Sequence, residues 1–195
     1  MLWLVCGGSN IASIVDTMKA IPADLTDELT VTLTDERYGP VDHPDSNLRQ
    51  LYEAGFNPRQ ARVLPVLEAD KSLEQTTGHY QRLAKQAFAD SDIVIATFGI
   101  GADGHIAGIL PDSPAAYEEE QWTAGYNAGN FMRLTLTFPA LRHIDIAYAL
   151  AFGEAKRAAL TKLQSTSTTL KDQPAQILKE LPEVYLYSDQ VKEET

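Results

Sequence analysis

Residues 92–98, DIVIATF, form a nearly continuous apolar run that is followed at once by the glycines Gly99, Gly101 and Gly104. A run in which apolar and polar residues do not alternate is typical of a central strand in a parallel sheet, because helices cover both of its faces. Parallel strands have to be joined by crossover connections, and these are usually helical. The run therefore predicts an α/β fold in which a glycine-rich loop follows the central strand.

Predicted strands and helices alternate along the rest of the chain, as such a fold requires. Residues 165–169 are predicted to be a polar loop and residues 189–195 a solvated tail. Amphipathic spacing predicts helices at 11–19, 47–54, 71–90, 154–164 and 175–181. Period-two alternation or short apolar runs predict further strands at 2–5, 29–34, 61–66, 131–137, 144–152 and 183–187.

We therefore expect a single domain over residues 1–195, built on a Rossmann-like open sheet that is mostly parallel. Right-handed crossovers place helices on both faces of such a sheet. Ligands of such folds bind beyond the carboxyl ends of the strands. The stretches Gly7-Gly8-Ser9 and 99–105 (GIGADGH) both fall at that edge and are the first candidates for a site.

The charge balance limits the partners of the protein. The 195 residues carry 16 Lys and Arg against 27 Asp and Glu, a net charge of −11, which argues against a nucleic-acid or anionic-membrane surface. An anionic small substrate is still allowed, because charges are screened over about 8 Å at physiological salt. Cys6 is the only cysteine, so no internal disulfide forms, and the short apolar start without a basic leader predicts a cytoplasmic protein.

Two stretches that follow predicted strands have both a functional and a structural interpretation. Gly7 and Gly8 allow backbone N–H groups to approach an anion at the start of a helix, and Ser9 adds a hydroxyl, although these residues alone require no more than an ordinary turn. Asp35, Glu36 and Arg37 end an alternating strand, where they are either site residues or a solvated loop with an Asp–Arg pair.

The stretch 99–105 favours catalysis over a purely structural role. His105 is the side chain here that exchanges a proton near pH 7, and Asp103 could orient its ring. The glycines let the main chain lie close to a bound sugar and could supply N–H donors to a developing oxyanion. The alternative is a structural histidine, but the other histidines, His43, His79 and His143, stand outside any glycine-rich stretch.

Two cations complete the candidate site. Arg133 begins the alternating stretch RLTLT, and Lys156 is predicted in the first turn of a helix. A lysine in that position opposes the helix dipole unless an anion is bound there. Together with Gly7-Gly8-Ser9, these cations predict a phosphate pocket.

The motifs GGS, TDER, DHPDSN, GIGADGHIAGILP, RLTLT and GEAK occur in the order that resembles the 6-phosphogluconolactonase family, which has a sugar-phosphate isomerase/deaminase-like fold. The resemblance runs from Gly7 to about Leu178. It implies hydrolysis of 6-phospho-D-glucono-1,5-lactone to 6-phosphogluconate, in the oxidative pentose phosphate pathway, without a metal or other cofactor. It places the catalytic histidine on His105, the substrate and phosphate contacts on Gly8, Ser9, Arg37, Arg133 and Lys156, and Asp35 in the sugar site. Asp35 is therefore a further catalytic candidate, and the sequence leaves open whether Asp103 or Asp35 supports the histidine.

Two other functions use similar motifs. A glucosamine-6-phosphate deaminase carries a catalytic glutamate immediately before the proline of its motif, where this chain has Leu110 and Pro111. A non-catalytic sugar-phosphate sensor could lose its histidine and is normally joined to a DNA-binding segment, whereas this chain keeps His105 and shows no such segment. Both alternatives are therefore weaker than the lactonase.

The chain also departs from the family pattern. Cys6 and Asn10 replace a serine and a threonine around the GGS stretch, and Asn10 could supply one phosphate donor. Gly108 stands where the lactonases commonly have a serine. Fewer residues precede Gly7 than in the family, so we expect a shortened N-terminus that leaves an apolar flank at the first strand uncovered, a surface that could form a homo-oligomer.

Overall fold

The computed structural model describes residues 1–164 and 168–190. Its main sheet has six strands and is parallel throughout. The strands of the described residues are β1 (Leu2–Val5), β2 (Thr30–Leu33), β3 (Asp35–Arg37), β4 (Arg62–Val63), β5 (Val94–Gly99), β6 (Thr123–Asn127), β7 (Met132–Leu136), β8 (Ile146–Leu150) and β9 (Glu183–Tyr187).

Four of the five α-helices among the described residues lie close to predicted positions, whereas the four-residue helix after β7 was not predicted. The five are α1 (Ile11–Ala20), α2 (Asn47–Glu53), α3 (Leu73–Ala89), the short α4 (Phe138–Leu141) and α5 (Arg157–Gln164). Glu154–Lys156 and Pro174–Glu180 are 3-10 turns, so the helix predicted at 175–181 has the tighter geometry. The predicted polar loop and tail fall largely on residues 165–167 and 191–195, outside the described residues.

The strand order of the main sheet is β4-β2-β1-β5-β8-β9. The chain adds strands first on one side of β1 and then on the other, so the order reverses between β1 and β5, which pair in register from Leu2 with Val94 to Leu4 with Ala96. The loops after two such strands diverge and leave a crevice between them. The Rossmann-like arrangement is therefore confirmed, and the two glycine-rich stretches meet at its switch point.

A second sheet was not expected. β3, β7 and β6 form a separate antiparallel sheet in that order, and the strand predicted at 131–137 belongs to it. Sequence patterns missed β3 because its three residues are all charged, and β6 because TAGYN lacks a β-branched apolar run. This sheet brings Arg37 and Arg133 side by side.

One face of the main sheet has an open apolar cleft of about 570 Å³. Right-handed crossovers that run in opposite directions along a sheet lie on opposite faces, so α1 covers one face and the β5–β8 connection the other. The cleft lies beside α1, where it exposes Ile95, Tyr148 and Phe152. Apolar surface is therefore uncovered beside β5 and β8 rather than on the first strand itself, whose four residues are all buried, and the homo-oligomer stays a prediction.

Glu36 holds β3 against the start of α2. Its buried carboxylate accepts hydrogen bonds from the backbone N–H of Asn47 (2.6 Å) and Leu48 (3.2 Å) and from the Ser46 hydroxyl (2.9 Å). Burial raises the pKa of Glu36, and the hydrogen bonds from these N–H groups oppose the increase. Glu36, the middle charged residue of the TDER stretch, therefore caps α2. Side chains alternate along a strand, so those of Asp35 and Arg37 lie on the opposite face of β3.

Replacing Glu36 with alanine is expected to lower the free energy of unfolding by about 3 kcal/mol, because buried N–H groups lose their acceptor. In a chain of this size that corresponds to a fall in Tm of roughly 6–12 °C, measurable by calorimetry. Glu53→Ala is the matched control, because Glu53 lies on α2, the helix that Glu36 caps, in an exposed pair with Arg49, and its replacement should change stability by less than about 0.5 kcal/mol. Equal effects of the two substitutions would contradict the capping role.

Candidate active site

A polar cavity of about 330 Å³ opens at the carboxyl edge of the main sheet, beside the switch point. Most residues that the sequence pointed to line this one cavity, although they come from five separate stretches of the chain. They are Gly7, Gly8, Ser9, Asp35, Arg37, Gly101, His105, Arg133 and Lys156. Asp103 is not part of the lining, but it contacts His105 directly.

His105 and Asp103 form a hydrogen-bonded pair at the edge of the cavity. The Nδ1 atom of His105 lies 2.6 Å from Oδ1 of Asp103, and the backbone N–H of His105 donates to the same oxygen at 3.1 Å. The side-chain hydrogen bond to His105 lowers the pKa of Asp103 to about 2. Because an ionised carboxylate only accepts, Nδ1 carries the proton and Nε2 is left to exchange one with a ligand. The carboxylate that supports the histidine is therefore Asp103.

The Asp103 carboxyl should stay ionised when the pH falls below the usual range for aspartate, with a midpoint near pH 2 in carbonyl-detected NMR. The folded-state pKa lies below the unfolded value of about 3.9, so this group stabilises the fold above that pH and loses its contribution as the pH falls towards 2. In His105→Asn the midpoint should return towards 3.9. An unchanged midpoint in that variant would show that the imidazole is not the cause.

Gly101 makes room for this pair of side chains. A Cβ atom at Gly101 would collide with the His105 ring and with the Asp103 carboxylate. Its N–H donates to the carbonyl of His105, and the Gly104 N–H donates to the carbonyl of Gly101, both at 2.9 Å. The sequence predicts that these N–H groups donate hydrogen bonds to a developing oxyanion. That prediction is wrong for Gly101 and Gly104, because both N–H groups already donate within the turn. A contact between Gly101 and the substrate stays a prediction.

Arg37 and Arg133 lie directly opposite each other in the β3–β7 pair. Like charges at such positions destabilise a sheet unless counter-charges lie nearby. Asp35 supplies one, with Oδ2 3.8 Å from Nη1 of Arg133. The Nε atoms of both arginines are buried and have no hydrogen-bond partner among the described residues. With Lys156 on the same cavity, the site has an excess of positive charge and unused donors that suit an anion.

The Gly7-Gly8-Ser9 stretch lines the same cavity as the two arginines. Gly8 has φ +70°, a conformation that favours glycine, and begins the 3-10 turn that leads into α1. The Asn10 side chain donates to the carbonyl of Leu150 at 3.1 Å and so joins the end of β8 to this turn. The suggestion that Asn10 serves as a phosphate donor is not supported, because its amide is used within the fold.

Sequence reasoning missed several residues of the cavity, among them Asn47, Asn130 and Phe131. Asn47 was assigned only to a helix start, yet its amide donates to the carbonyl of Asp35 at 2.9 Å and its buried Oδ1 has no partner among the described residues. A Cβ atom at Gly7 would collide with that Oδ1, so the glycine is needed there. No local pattern indicated that 130 and 131 would reach the site.

The fold and the cavity define an α/β protein with a polar cavity, lined by Arg37, Arg133 and Lys156, at the switch point of a parallel sheet. A family model described as glucosamine-6-phosphate isomerases/6-phosphogluconolactonase matches residues 3–186, and the chain belongs to this family. The same description covers isomerases and lactonases, so membership alone does not choose between the two reactions.

Individual relatives are similar over most of the chain. A 6-phosphogluconolactonase of Synechocystis is 26% identical over 166 residues, which cover 80% of this chain and 68% of the relative. The human 6-phosphogluconolactonase is 29% identical over 172 residues, covering 80% and 66%. The chain thus spans about two thirds of the length of these relatives.

A solved structure supports the fold. The crystal structure of a 6-phosphogluconolactonase from Thermotoga maritima superposes with a TM-score of 0.77 at 23% identity, covering 96% of this chain and 84% of that one. Among the described residues, no helix combines the length and the apolar character needed to cross a membrane.

Proposed function

We propose that this protein hydrolyses 6-phospho-D-glucono-1,5-lactone to 6-phosphogluconate. The observation that carries the proposal is that one cavity holds a proton-exchanging imidazole, backed by a carboxylate, together with Arg37, Arg133 and Lys156. The imidazole suits the ester carbon of the lactone, and the cations suit its phosphate. The names of the relatives point to the same substrate.

The chemistry requires one proton to be taken and later returned. Nε2 of His105 removes a proton from water as the water oxygen bonds to the lactone carbonyl carbon, which gives a tetrahedral oxyanion. When the bond from that carbon to the ring oxygen breaks, the imidazolium returns the proton to this oxygen. The Asp103 carboxylate holds the ring through Nδ1 and stabilises its charged form. The product is the open hydroxy acid, and no step requires a metal.

Substrate binding is assigned to the rest of the lining. Arg37, Arg133 and Lys156 bind the phosphate, because guanidinium and ammonium donors form charge-assisted hydrogen bonds to phosphate oxygens. Gly7, Gly8 and Ser9 line the same cavity and complete the substrate contacts. Asp35 is buried and only accepts when ionised, so its place is beside a sugar hydroxyl.

The deaminase reaction has less support from the structure. Leu110, which stands where the deaminase family has its glutamate, has no proton to transfer and does not line the cavity. Its backbone N–H faces the hydroxyl of Tyr126 at 3.3 Å. The side chain at position 110 therefore cannot perform the proton transfer that the catalytic glutamate performs in the deaminase.

The proposal is tested by mixing the purified protein with freshly prepared lactone and following 6-phosphogluconate with its dehydrogenase. We expect opening well above the buffer blank, unchanged by a chelator. A rate equal to the blank would remove the assignment. Ammonia release from glucosamine 6-phosphate, measured in parallel, would instead favour the deaminase.

A further inference from the structure

The side chain of Arg37 is held from two sides. Its guanidinium carbon lies 5.2 Å from the ring centroid of Phe131, and its Nη1 donates to the carbonyl of Asp45 at 2.9 Å. Phe131 follows β6 and immediately precedes β7, so it belongs to the loop of the hairpin that these strands form. Arg37 and Phe131 both line the polar cavity.

Without these two contacts, the conformation in which Arg37 lines the cavity would be unfavourable. It lies opposite Arg133 in the strand register, and the two positive charges repel each other. Asp35, the carboxylate that lines the same cavity, is paired with Arg133. Arg37 is a long, half-buried side chain at the end of a three-residue strand, and holding such a side chain in one rotamer costs conformational entropy. An aromatic face stabilises the rotamer in which the guanidinium lies over it.

We infer that Phe131 is a positioning residue, which holds the Arg37 guanidinium at the cavity and so strengthens binding of the substrate phosphate. The inference rests on the proposed function for the identity of the ligand. It does not rest on turnover, because the product 6-phosphogluconate carries the same phosphate and can be measured by binding alone. The hairpin loop between β6 and β7 is thereby part of the phosphate site.

The test compares Phe131→Leu, which keeps apolar bulk but removes the aromatic face, with Phe131→Tyr, which keeps that face. Phe131→Leu is expected to weaken 6-phosphogluconate binding by about threefold to tenfold in calorimetry and to raise KM similarly, with kcat within about twofold. Phe131→Tyr should bind within about twofold of the natural protein. Tyr117→Leu is the matched control, because it removes a cation–aromatic contact with Lys171 that lies outside the cavity.

A double-mutant cycle shows whether Phe131 acts through Arg37. In an Arg37→Met background, Phe131→Leu should weaken 6-phosphogluconate binding by less than about 1.5-fold, because the group that it positions is gone. Additive effects, or equal binding by Phe131→Leu and the natural protein, would overturn the inference while leaving the lactonase proposal intact. If product binding follows the expected cycle but the protein does not open the lactone, the positioning role of Phe131 stands and the lactonase proposal falls. If the natural protein does not bind 6-phosphogluconate, both proposals fail.

Discussion

Replacing His105 with asparagine is expected to lower kcat for lactone hydrolysis by about 10²- to 10⁴-fold, the usual contribution of a positioned general base. Asparagine is close to histidine in size and keeps a polar side chain, but it cannot take a proton from water near neutral pH. The residues assigned to the phosphate, Arg37, Arg133 and Lys156, are unchanged in this variant, so 6-phosphogluconate should bind within about threefold of the natural affinity. The coupled dehydrogenase assay and calorimetry measure the two quantities separately.

His79→Asn is the control for this variant. His79 is also partly buried and also lies next to a carboxylate, with Nδ1 3.2 Å from Glu68, but it is outside the cavity. Its replacement should leave kcat unchanged. If His105→Asn lost product binding together with turnover, the histidine would be structural and the proposed mechanism would be wrong.

Lys156→Met is expected to raise KM for the phosphorylated lactone by about ten- to a hundredfold, because a charge-assisted hydrogen bond contributes roughly 1.5–3 kcal/mol. Lys156 ends the 3-10 turn before α5, and its ammonium group has no hydrogen-bond or ion-pair partner among the described residues. Methionine preserves most of the length of the side chain, so the change isolates the charge. The readout is a set of initial rates over a range of lactone concentrations.

Two controls separate phosphate binding from a general electrostatic effect. Lys162→Met removes the same charge from α5 at a position where the lysine contacts the carbonyl of Asp172 outside the cavity, and KM should not change. Glucono-1,5-lactone, which lacks the phosphate, should be opened equally by Lys156→Met and the natural protein. An unchanged KM for the phosphorylated lactone would show that the phosphate lies elsewhere.

The central part of the site could be predicted because its contacts are local in sequence. His105 and Asp103 are two residues apart in a glycine-rich turn, so their pairing depends on that turn alone. The arginines behave differently. The approach of Arg37 to Arg133 depends on a β3–β7 pairing across nearly half of the chain, and a short stretch of sequence carries no information about such a pairing. The same holds for Phe131.

The amino-acid pattern by itself determined the parallel sheet, the helices between its strands and the position of His105 in a glycine-rich turn after the central strand, whereas the structure decided that Asp103 rather than Asp35 pairs with it. These features follow from short-range physics: apolar periodicity, glycine conformation and residues close together in the chain. Only the tertiary structure decided that Glu36 is a cap, that Gly101 provides space and that Phe131 faces Arg37. Those roles depend on which distant surfaces meet, and packing of the whole chain sets those contacts.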